Sequence, residues 1–309
     1  SGPVNASIAS ADSAALGSVP LLSPANSRLY AFDATGKVKP GWPVAIGDFD
    51  GGLLPVVGDG IVNSPALADV DGSGKLRAGV ISTVGPGYIL NPDGTSYYGN
   101  DPSGKPVVLT LSGGGTAANS PVYPSLPALG SPVFAQLGPA APGVSFIAPA
   151  TSLAKALDVA LPAQQLPNDV QLDAWNLATR LFQPGFPTVM NDLEFLDQPI
   201  VADVAGAAAG PYIVEADALY DVRAVDVLGR EAPGFPKFTG GWTVNSLSFG
   251  RWGNLDTQVL AGGTREGYLF LWSSPTAACA ASGPWPKQHH DLHNTGNLQT
   301  ADQAARCKD

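Results

Sequence analysis

The strongest constraint on this chain is a short segment that is repeated along it. The stretches YAFDATGKVKPGWPV at 30–44 and RAVDVLGREAPGFPK at 223–237 share an apolar run, an Asp turn and a Pro-Gly-aromatic-Pro sequence. A similar order recurs at 174–187, with Asn176 in the turn, and at 268–286, which ends in Gly-Pro-Trp-Pro. The stretch YILNPDGT at 88–95 keeps the apolar run and the turn without the Gly-aromatic-Pro end. Five copies of one segment predict a fold built from repeated supersecondary units.

A second segment alternates with the first. Its four copies are SPALADVDGSGKLRAGVIS from Ser64, SPVFAQLGPAAPGVSFIAP from Ser131, QPIVADVAGAAAGPYIVEA from Gln198 and SLSFGRWGNLDTQVLAGG from Ser246. Each copy is typical of two short strands around a turn, so one complete unit has four strands. Four-stranded units of about 45–65 residues are typical of β-propeller blades, which pack face to face because a single blade cannot bury its apolar faces.

The composition favours an all-β chain. The 37 Gly and 29 Pro residues indicate many turns, and a charged fraction of only 14% indicates few solvated helices. A net charge of -10 leaves no basic surface for phosphates, so we expect no nucleic-acid partner. The apolar runs are too short to span a bilayer, so we expect no membrane insertion.

The two segments resemble those of the bacterial FG-GAP/VCBS class of β-propeller, whose blades carry SPALADLDGDG-like and YAFDADG…GWP-like strands. The resemblance runs from about residue 25 to residue 297, and GPWPKQHHDLHNTG at 283–296 is similar to the segment that often ends such propellers. It implies an all-β β-propeller of four-stranded blades, with about four complete blades and a partial first one. We expect the partial blade and an insert at 1–28, blades at 29–297 and a tail at 298–309.

The first outer-strand copy, at Tyr30, has no inner-strand copy before it. The missing strands could come from the C-terminal residues, which would close the ring, or from another polypeptide such as the N-terminal part of a cleaved precursor. The first blade could also be degenerate and simply lack them. We prefer a second polypeptide, because the residues after Thr295 are too polar for a core strand.

Two inserts between units predict short helices, near 11–18 and at 152–161. In the second insert three leucines recur at helical spacing, Ser152 is a possible N-cap and Pro162 is a possible stop. This helix could dock on a partner or pack on its own blade.

An acidic turn is the main chemical candidate. In the resembled family such a turn holds calcium through carboxylates at positions 1, 3, 5 and 9 and a carbonyl at position 7. Here Asp69 and Asp71 keep the first two carboxylates, Ser73 offers a hydroxyl and Lys75 its carbonyl. Arg77 stands where the last carboxylate is expected. We therefore predict either a weak calcium site or an arginine that pairs with an aspartate and replaces the ion.

The three histidines of the chain are His289, His290 and His293. His289 and His293 are four residues apart, so on a helical turn they could bind one metal ion. Alternatively, the polar residues of this segment tie the last blade down.

Cys279 and Cys307 are the only cysteines and flank the last segment. A disulfide between them would contribute about 3 kcal/mol in the chain-entropy treatment, whereas two unpaired thiols are the alternative. A disulfide and a low charged fraction suit an extracellular, cell-surface or periplasmic protein.

Motifs for catalysis are few. The chain has no nucleophile elbow, no HExxH and no phosphate-binding loop. The acidic pairs Asp192–Glu194 and Glu215–Asp217 could act in acid–base chemistry or simply be solvated. Two function classes follow. We favour a non-catalytic scaffold or recognition propeller that binds an N-terminal propeller fragment or another surface protein; the alternative is an enzyme that acts on glycans or uses a quinone in the axial channel.

Overall fold

The structure is a computed structural model that describes residues 28–33, 35–46, 61, 63–81, 87–102, 104, 106–109, 125–127, 130–152, 170–191 and 197–301. These residues form seventeen strands in five antiparallel sheets, and the only helix among them is the single 3-10 turn Ala207–Ala209. The described part of the chain is therefore all-β. None of its helices has the length and hydrophobicity needed to cross a membrane.

The sheets follow one another along the chain. Sheet 1 contains β1 (Arg28–Leu29) and β2 (Val44–Ala45), and sheet 2 contains β3 (Ala66–Ala68), β4 (Arg77–Ile81) and β5 (Gly87–Leu90). Sheet 3 contains β6 (Ser125–Pro127), β7 (Val133–Ala135), β8 (Ser145–Ser152), β9 (Val170–Asn176) and β10 (Thr188–Val189). Sheet 4 contains β11 (Ile200–Ala202), β12 (Tyr212–Ala216), β13 (Asp221–Val225) and β14 (Lys237–Phe238). Sheet 5 contains β15 (Ser248–Arg251), β16 (Thr257–Gly263) and β17 (Leu269–Ala277).

The number of strands differs from the four expected in every blade. Sheet 4 has four strands in the order β11-β12-β13-β14, but the other described sheets have two, three or five. In sheet 3 the long strand β8 pairs with β7 at its start and with β6 at its end. Residues 11–18 and 153–161 lie outside the described residues, so both helices stay predictions, as does the N-cap at Ser152, the residue that ends β8.

The repeated Asp turn forms a local hydrogen-bonded structure. Asp226 Oδ1 accepts the backbone N–H groups of Leu228 and Arg230, both at 2.9 Å. Asp33 Oδ1 accepts the N–H groups two and four residues ahead in the same way, at 2.8 and 3.0 Å. An Asp side chain favours such turns because its carboxylate is short enough to reach its own backbone. The repeat therefore fixes the position where the third strand of a unit ends.

The Pro-Gly-aromatic-Pro segments join neighbouring sheets. A β-carbon on Gly185 would overlap the backbone of Leu228, and one on Gly41 would overlap the carbonyl of Asp93. Each glycine thus allows one sheet to lie directly against the Asp or Asn turn of the next sheet. In the first segment, the indole N–H of Trp42 also donates to a carbonyl of that turn, at 3.1 Å. Glycine is needed here for close approach.

Aromatic side chains of sheet 3 lie in the largest apolar core. Phe134, Phe146 and Trp175 are aligned across β7, β8 and β9, with ring centroids 5.1 and 5.8 Å apart. All three are at most 1% exposed. Gly79 of β4 lies directly under the two phenylalanine rings, so sheet 2 packs face to face on sheet 3. A second core, from β11–β13 and β15–β16, joins sheets 4 and 5 in the same manner.

The strands that carry the inner-strand segment lie side by side in neighbouring sheets, with β3 against β7 and β11 against β15. Sheets that pack face to face and bring these inner strands together have the arrangement of β-propeller blades. The number of blades and the closure of a ring stay predictions, as do the boundaries at 28 and 297.

We expect Gly185→Ala to lower the free energy of unfolding by about 1–3 kcal/mol, because the added methyl group overlaps the turn of sheet 4. The matched control is Gly250→Ala, where the nearest atom to the new methyl group would be Ser282 Oγ at 3.8 Å. This control should be neutral or slightly stabilising. Urea unfolding measures both variants, and an equal effect of the two would contradict the close-approach role of Gly185.

Candidate functional site

One equivalent residue begins the inner-strand segment of each unit, and it links neighbouring sheets. Ser131 Oγ accepts the N–H of Ser64 at 3.0 Å, and Ser246 Oγ accepts the N–H of Gln198 at 2.8 Å. The N–H of Ser131 donates in turn to the carbonyl of Asp197 at 2.7 Å. Sheets 2 to 5 are therefore joined in order by hydrogen bonds just before β3, β7, β11 and β15.

Residues 282–299, called the strap below, cross the first strands of several sheets. On sheet 4, Val201 and Trp285 exchange both backbone hydrogen bonds, at 2.8 and 2.9 Å. On sheet 5, the N–H of Phe249 donates to the carbonyl of Pro286 at 2.8 Å. The strap thus acts as an extra partner for two inner strands.

The far end of the strap reaches sheet 2. Leu67 of β3 donates its N–H to Gly296 at 2.6 Å and accepts the N–H of Leu298 at 2.9 Å. The side-chain oxygen of Gln299 accepts the N–H of Asp69 at 2.7 Å. The segment 283–296 was expected to tie down the last blade, and the strap that contains it contacts sheets 2, 4 and 5.

Gln198 is the point where the strap is attached to the sheet-to-sheet hydrogen bonds. Its Oε1 accepts the N–H of His289 at 2.7 Å and the indole N–H of Trp285 at 3.3 Å, while its Nε2 donates to the carbonyl of Pro132 at 2.8 Å. The other three units have serine at this position. Serine is too short to reach the strap. The glutamine at this position was therefore the sequence signal for a contact of this kind, but comparing the repeats alone does not show what it contacts.

Asp291 organises the turn in the middle of the strap. Its carboxylate is 1% exposed and accepts the N–H of His293 at 2.9 Å, together with the N–H and hydroxyl of Thr295 at 3.2 and 2.6 Å. Burial acts to raise the pKa of Asp291, but these hydrogen bonds outweigh it and hold the pKa below its usual value. The ammonium group of Lys287 donates to the carbonyl of Asp291 and to Asn294 Oδ1, both at 2.8 Å.

The histidines serve the strap rather than a helical metal pair. His289 Nε2 is 3.1 Å from Ser64 Oγ, and burial together with the charge of Lys287 lowers the pKa of His289. His290 is buried, and His293 is exposed. The backbone φ values of 57° and 75° at His289 and His290 belong to turns, so the predicted helical turn is wrong. Across the described ranges, no three metal-ligating side chains form a group.

The acidic turn after β3 is closed around an arginine. The guanidinium of Arg77 binds both oxygens of Asp71 at 3.0 and 2.8 Å, and it also donates to Ser73 Oγ at 2.8 Å and to the carbonyl of Lys75 at 2.6 Å. Asp69 lies 3.7 Å from the guanidinium. Because these oxygen acceptors already surround a cation, the residues do not fit calcium as they stand. Weak calcium binding by Asp69, Asp71, Ser73 and Lys75 stays a prediction.

Carboxyl groups are buried between sheets 3 and 4. Asp197, Glu215 and Asp217 are 2%, 2% and 0% exposed. Burial raises the pKa of Asp197 to about 6, the charge of Asp217 adds to the rise, and a hydrogen bond with Glu215 opposes it. Burial likewise raises the pKa of Asp217. Sequence reasoning listed the pair Glu215–Asp217 but missed Asp197, whose burial depends on a neighbouring sheet. The pair Asp192–Glu194 lies outside the described residues.

Cys279 lies two residues after β17, and Cys307 lies outside the described residues. The Cys279–Cys307 disulfide therefore stays a prediction.

Comparison with known proteins gives likenesses among solved structures only. No protein-family model matches the chain, and no curated protein matches it. Similar structures include BamB from Moraxella catarrhalis (15% identity, TM-score 0.42), BBS1N in complex with ARL6DN (12%, 0.42) and the Dos1 propeller (14%, 0.40). These likenesses cover 80%, 85% and 85% of this chain, which spans only 53%, 63% and 55% of those chains. With identities and TM-scores this low, the fold rests on the sheets described above.

We expect Gln198→Ala to detach the strap, because it removes an oxygen that accepts two hydrogen bonds and an amide that donates one, at a site only 2% exposed. The buried groups left without partners should lower the free energy of unfolding by about 2–4 kcal/mol. Limited proteolysis should cut the strap faster in this variant. Gln288→Ala, which alters an exposed strap residue, is the control. Equal cleavage of the two variants would show that Gln198 does not hold the strap.

The raised pKa of Asp197 predicts a pH dependence of stability. The free energy of unfolding should fall as the pH rises from the ordinary value of 3.8 through about 6, because the folded state keeps the proton longer. Asp197→Asn should remove this part of the slope, up to about 3 kcal/mol. Denaturant unfolding between these pH values measures it, with the exposed Asp256→Asn as control. An unchanged slope in Asp197→Asn would contradict the assignment.

Proposed function

We propose that this chain is a non-catalytic β-propeller scaffold or recognition module that binds another protein chain, and that it works in an extracellular, cell-surface or periplasmic setting. The observation that carries the proposal is the open outer face of sheet 5. A low charged fraction and the predicted Cys279–Cys307 disulfide support the location.

The open face consists of apolar side chains on the last described strand. Leu269 and Leu271 of β17 are 68% and 42% exposed, and they stand opposite Gly263 and Ala261 of β16. The other face of β17 carries Trp272, which packs against the core between sheets 4 and 5. Sheet 5 is therefore covered on one side by sheet 4, and its second side exposes apolar residues. Such a surface is typical of an interaction site.

The other sheets indicate what covers a face of this kind. Sheet 3 covers sheet 2, and sheet 5 covers sheet 4, each through aligned apolar side chains. We infer that the occupant of the open face is a further β-sheet, supplied by a second polypeptide. A propeller fragment, which is the partner predicted from the sequence, fits this description.

The edge of sheet 5 supports strand pairing by the same partner. In sheets 3 and 4 the segment after Pro-Gly-aromatic-Pro forms the last strand, β10 or β14. After Pro286, by contrast, Lys287 pairs with Ser248 of the first strand of sheet 5. Among the described residues, β17 is left as an edge strand with β16 on one side only. An edge strand of nine residues can accept a strand from a partner.

The position of the strap argues against an enzyme with its site in an axial channel. A site in an axial channel needs the first strands of the blades to face an open space. In this chain the strap covers first strands of sheets 2, 4 and 5 through backbone hydrogen bonds. The groups at that position, such as Gln198 and Asp291, are engaged in holding the strap.

We expect the double variant Leu269→Asp/Leu271→Asp to abolish association with the partner, because charged groups would have to be buried against an apolar sheet. A photoreactive amino acid at position 271 should cross-link a second β-rich polypeptide in native extracts, which mass spectrometry would identify.

The matched control replaces two leucines on exposed turns of sheet 4, Leu219 and Leu228, by Asp. This control should keep the association. Cross-linking only to a second copy of this chain would point to a homodimer and overturn a separate partner. The absence of any cross-link from position 271 would overturn the proposal as a whole.

A further inference from the structure

We infer that the guanidinium of Arg77 is the resident cation of the turn 69–77, so that the turn is ordered without metal, and that an acidic residue at position 77 would convert it into a calcium site. The inference does not depend on the proposed function. It concerns the side chain that stands where the resembled family has a metal ligand.

The guanidinium contacts the groups that a calcium ion would use. Its bonds to the carboxylate of Asp71, the hydroxyl of Ser73 and the carbonyl of Lys75 are all between 2.6 and 3.0 Å long. The bidentate pairing with Asp71 is the strongest type of ion-pair hydrogen bond. The acceptors are directed at one point, and Arg77 supplies the positive charge at that point.

The first aspartate of the turn is held by the backbone. Asp69 Oδ1 accepts the N–H of Ser73 at 3.1 Å, and Asp69 Oδ2 accepts the N–H of Gly74 at 2.6 Å. These bonds close the turn around the guanidinium. Asp69 therefore shapes the turn, while Asp71 pairs with the cation.

A metal ion would have to displace a buried cation. The Arg77 side chain is 7% exposed, and its Nε donates to Asn91 Oδ1 at 3.3 Å. Its guanidinium carbon also lies 5.3 Å from the ring centroid of Tyr97, a cation–π distance. Displacing the guanidinium would break these contacts and leave its charge unpaired in a buried position, which is strongly unfavourable. We therefore expect no calcium binding at this turn while Arg77 is present.

Arg77 also connects more of the chain than a metal ion at this turn would. Asn91 belongs to the turn after β5, and Tyr97 follows that turn, so the guanidinium joins both turns of sheet 2. The N–H of Asp69 is bonded to Gln299 of the strap. A well-ordered acidic turn therefore holds the backbone of Asp69 in place for its hydrogen bond to the far end of the strap.

The test compares the intact chain with two variants in calcium and in EDTA. The unaltered chain should show the same Tm in both buffers and no calcium binding by titration calorimetry. Arg77→Asp places carboxylates at positions 1, 3 and 9 and removes the guanidinium. It should melt lower than the unaltered chain in EDTA, regain stability in millimolar calcium and bind one ion with a Kd of about 10⁻⁴–10⁻³ M.

Two further variants separate the loss of the arginine charge from the gain of a calcium ligand. Arg77→Met removes the charge without adding a ligand, so it should melt lower than the unaltered chain and show no calcium response. Arg230→Asp makes the same charge change at an exposed arginine that pairs with Asp226, and it should also show no calcium response.

A calcium-dependent rise in Tm of the unaltered chain would overturn the resident-cation assignment. Arg77→Asp that binds no calcium, or that stays unfolded in both buffers, would overturn the predicted conversion.

Discussion

In sheets 2 and 4 the inner strands are buried on both faces, and only a neighbouring sheet can keep a face of that size from water. The alignment of Phe134, Phe146 and Trp175 over Gly79 shows how closely two sheets must match for this burial. Glycines at 41 and 185 bring the neighbouring backbones into contact. All other features, including the serine hydrogen bonds and the strap, depend on this face-to-face packing because it sets the distance between first strands.

Much of this packing depends on residues that are close together in the chain, and that part could be predicted from the sequence. The turn at Asp226 is held by hydrogen bonds to backbone groups within a few residues of it. The Pro-Gly-aromatic-Pro sequence is repeated along the chain and is therefore visible without a structure. The strap could not be predicted, because the pairing of Leu67 with Gly296 joins segments far apart in the chain. The strand count per sheet was likewise uncertain from short apolar runs, which carry little periodicity. Arg77 could be predicted in part. Its position in the acidic turn could be read from the sequence, but its contacts with Asn91 and Tyr97 could not.

In the candidate sites, polar side chains hold the sheets and the strap together. The amide of Gln198, the carboxylate of Asp291 and the guanidinium of Arg77 each satisfy several buried partners at once. Fully satisfied polar networks rigidify a fold and leave little freedom for chemistry at the same atoms. The exposed leucines of β17 are different, since they are apolar and accessible and gain by being covered. Structural cohesion and the proposed recognition thus use different kinds of side chain on separate surfaces.

The reach of the strap has a consequence for the order in which the body is assembled. The bond between Asp69 and Gln299 joins residues 230 positions apart, so it can form only after residue 299 has left the ribosome. Contacts of such separation are slow because a long loop must close before they contribute. During synthesis the first strands of sheets 2 and 4 therefore wait for the strap, a period in which unpaired strand edges are open to wrong pairing.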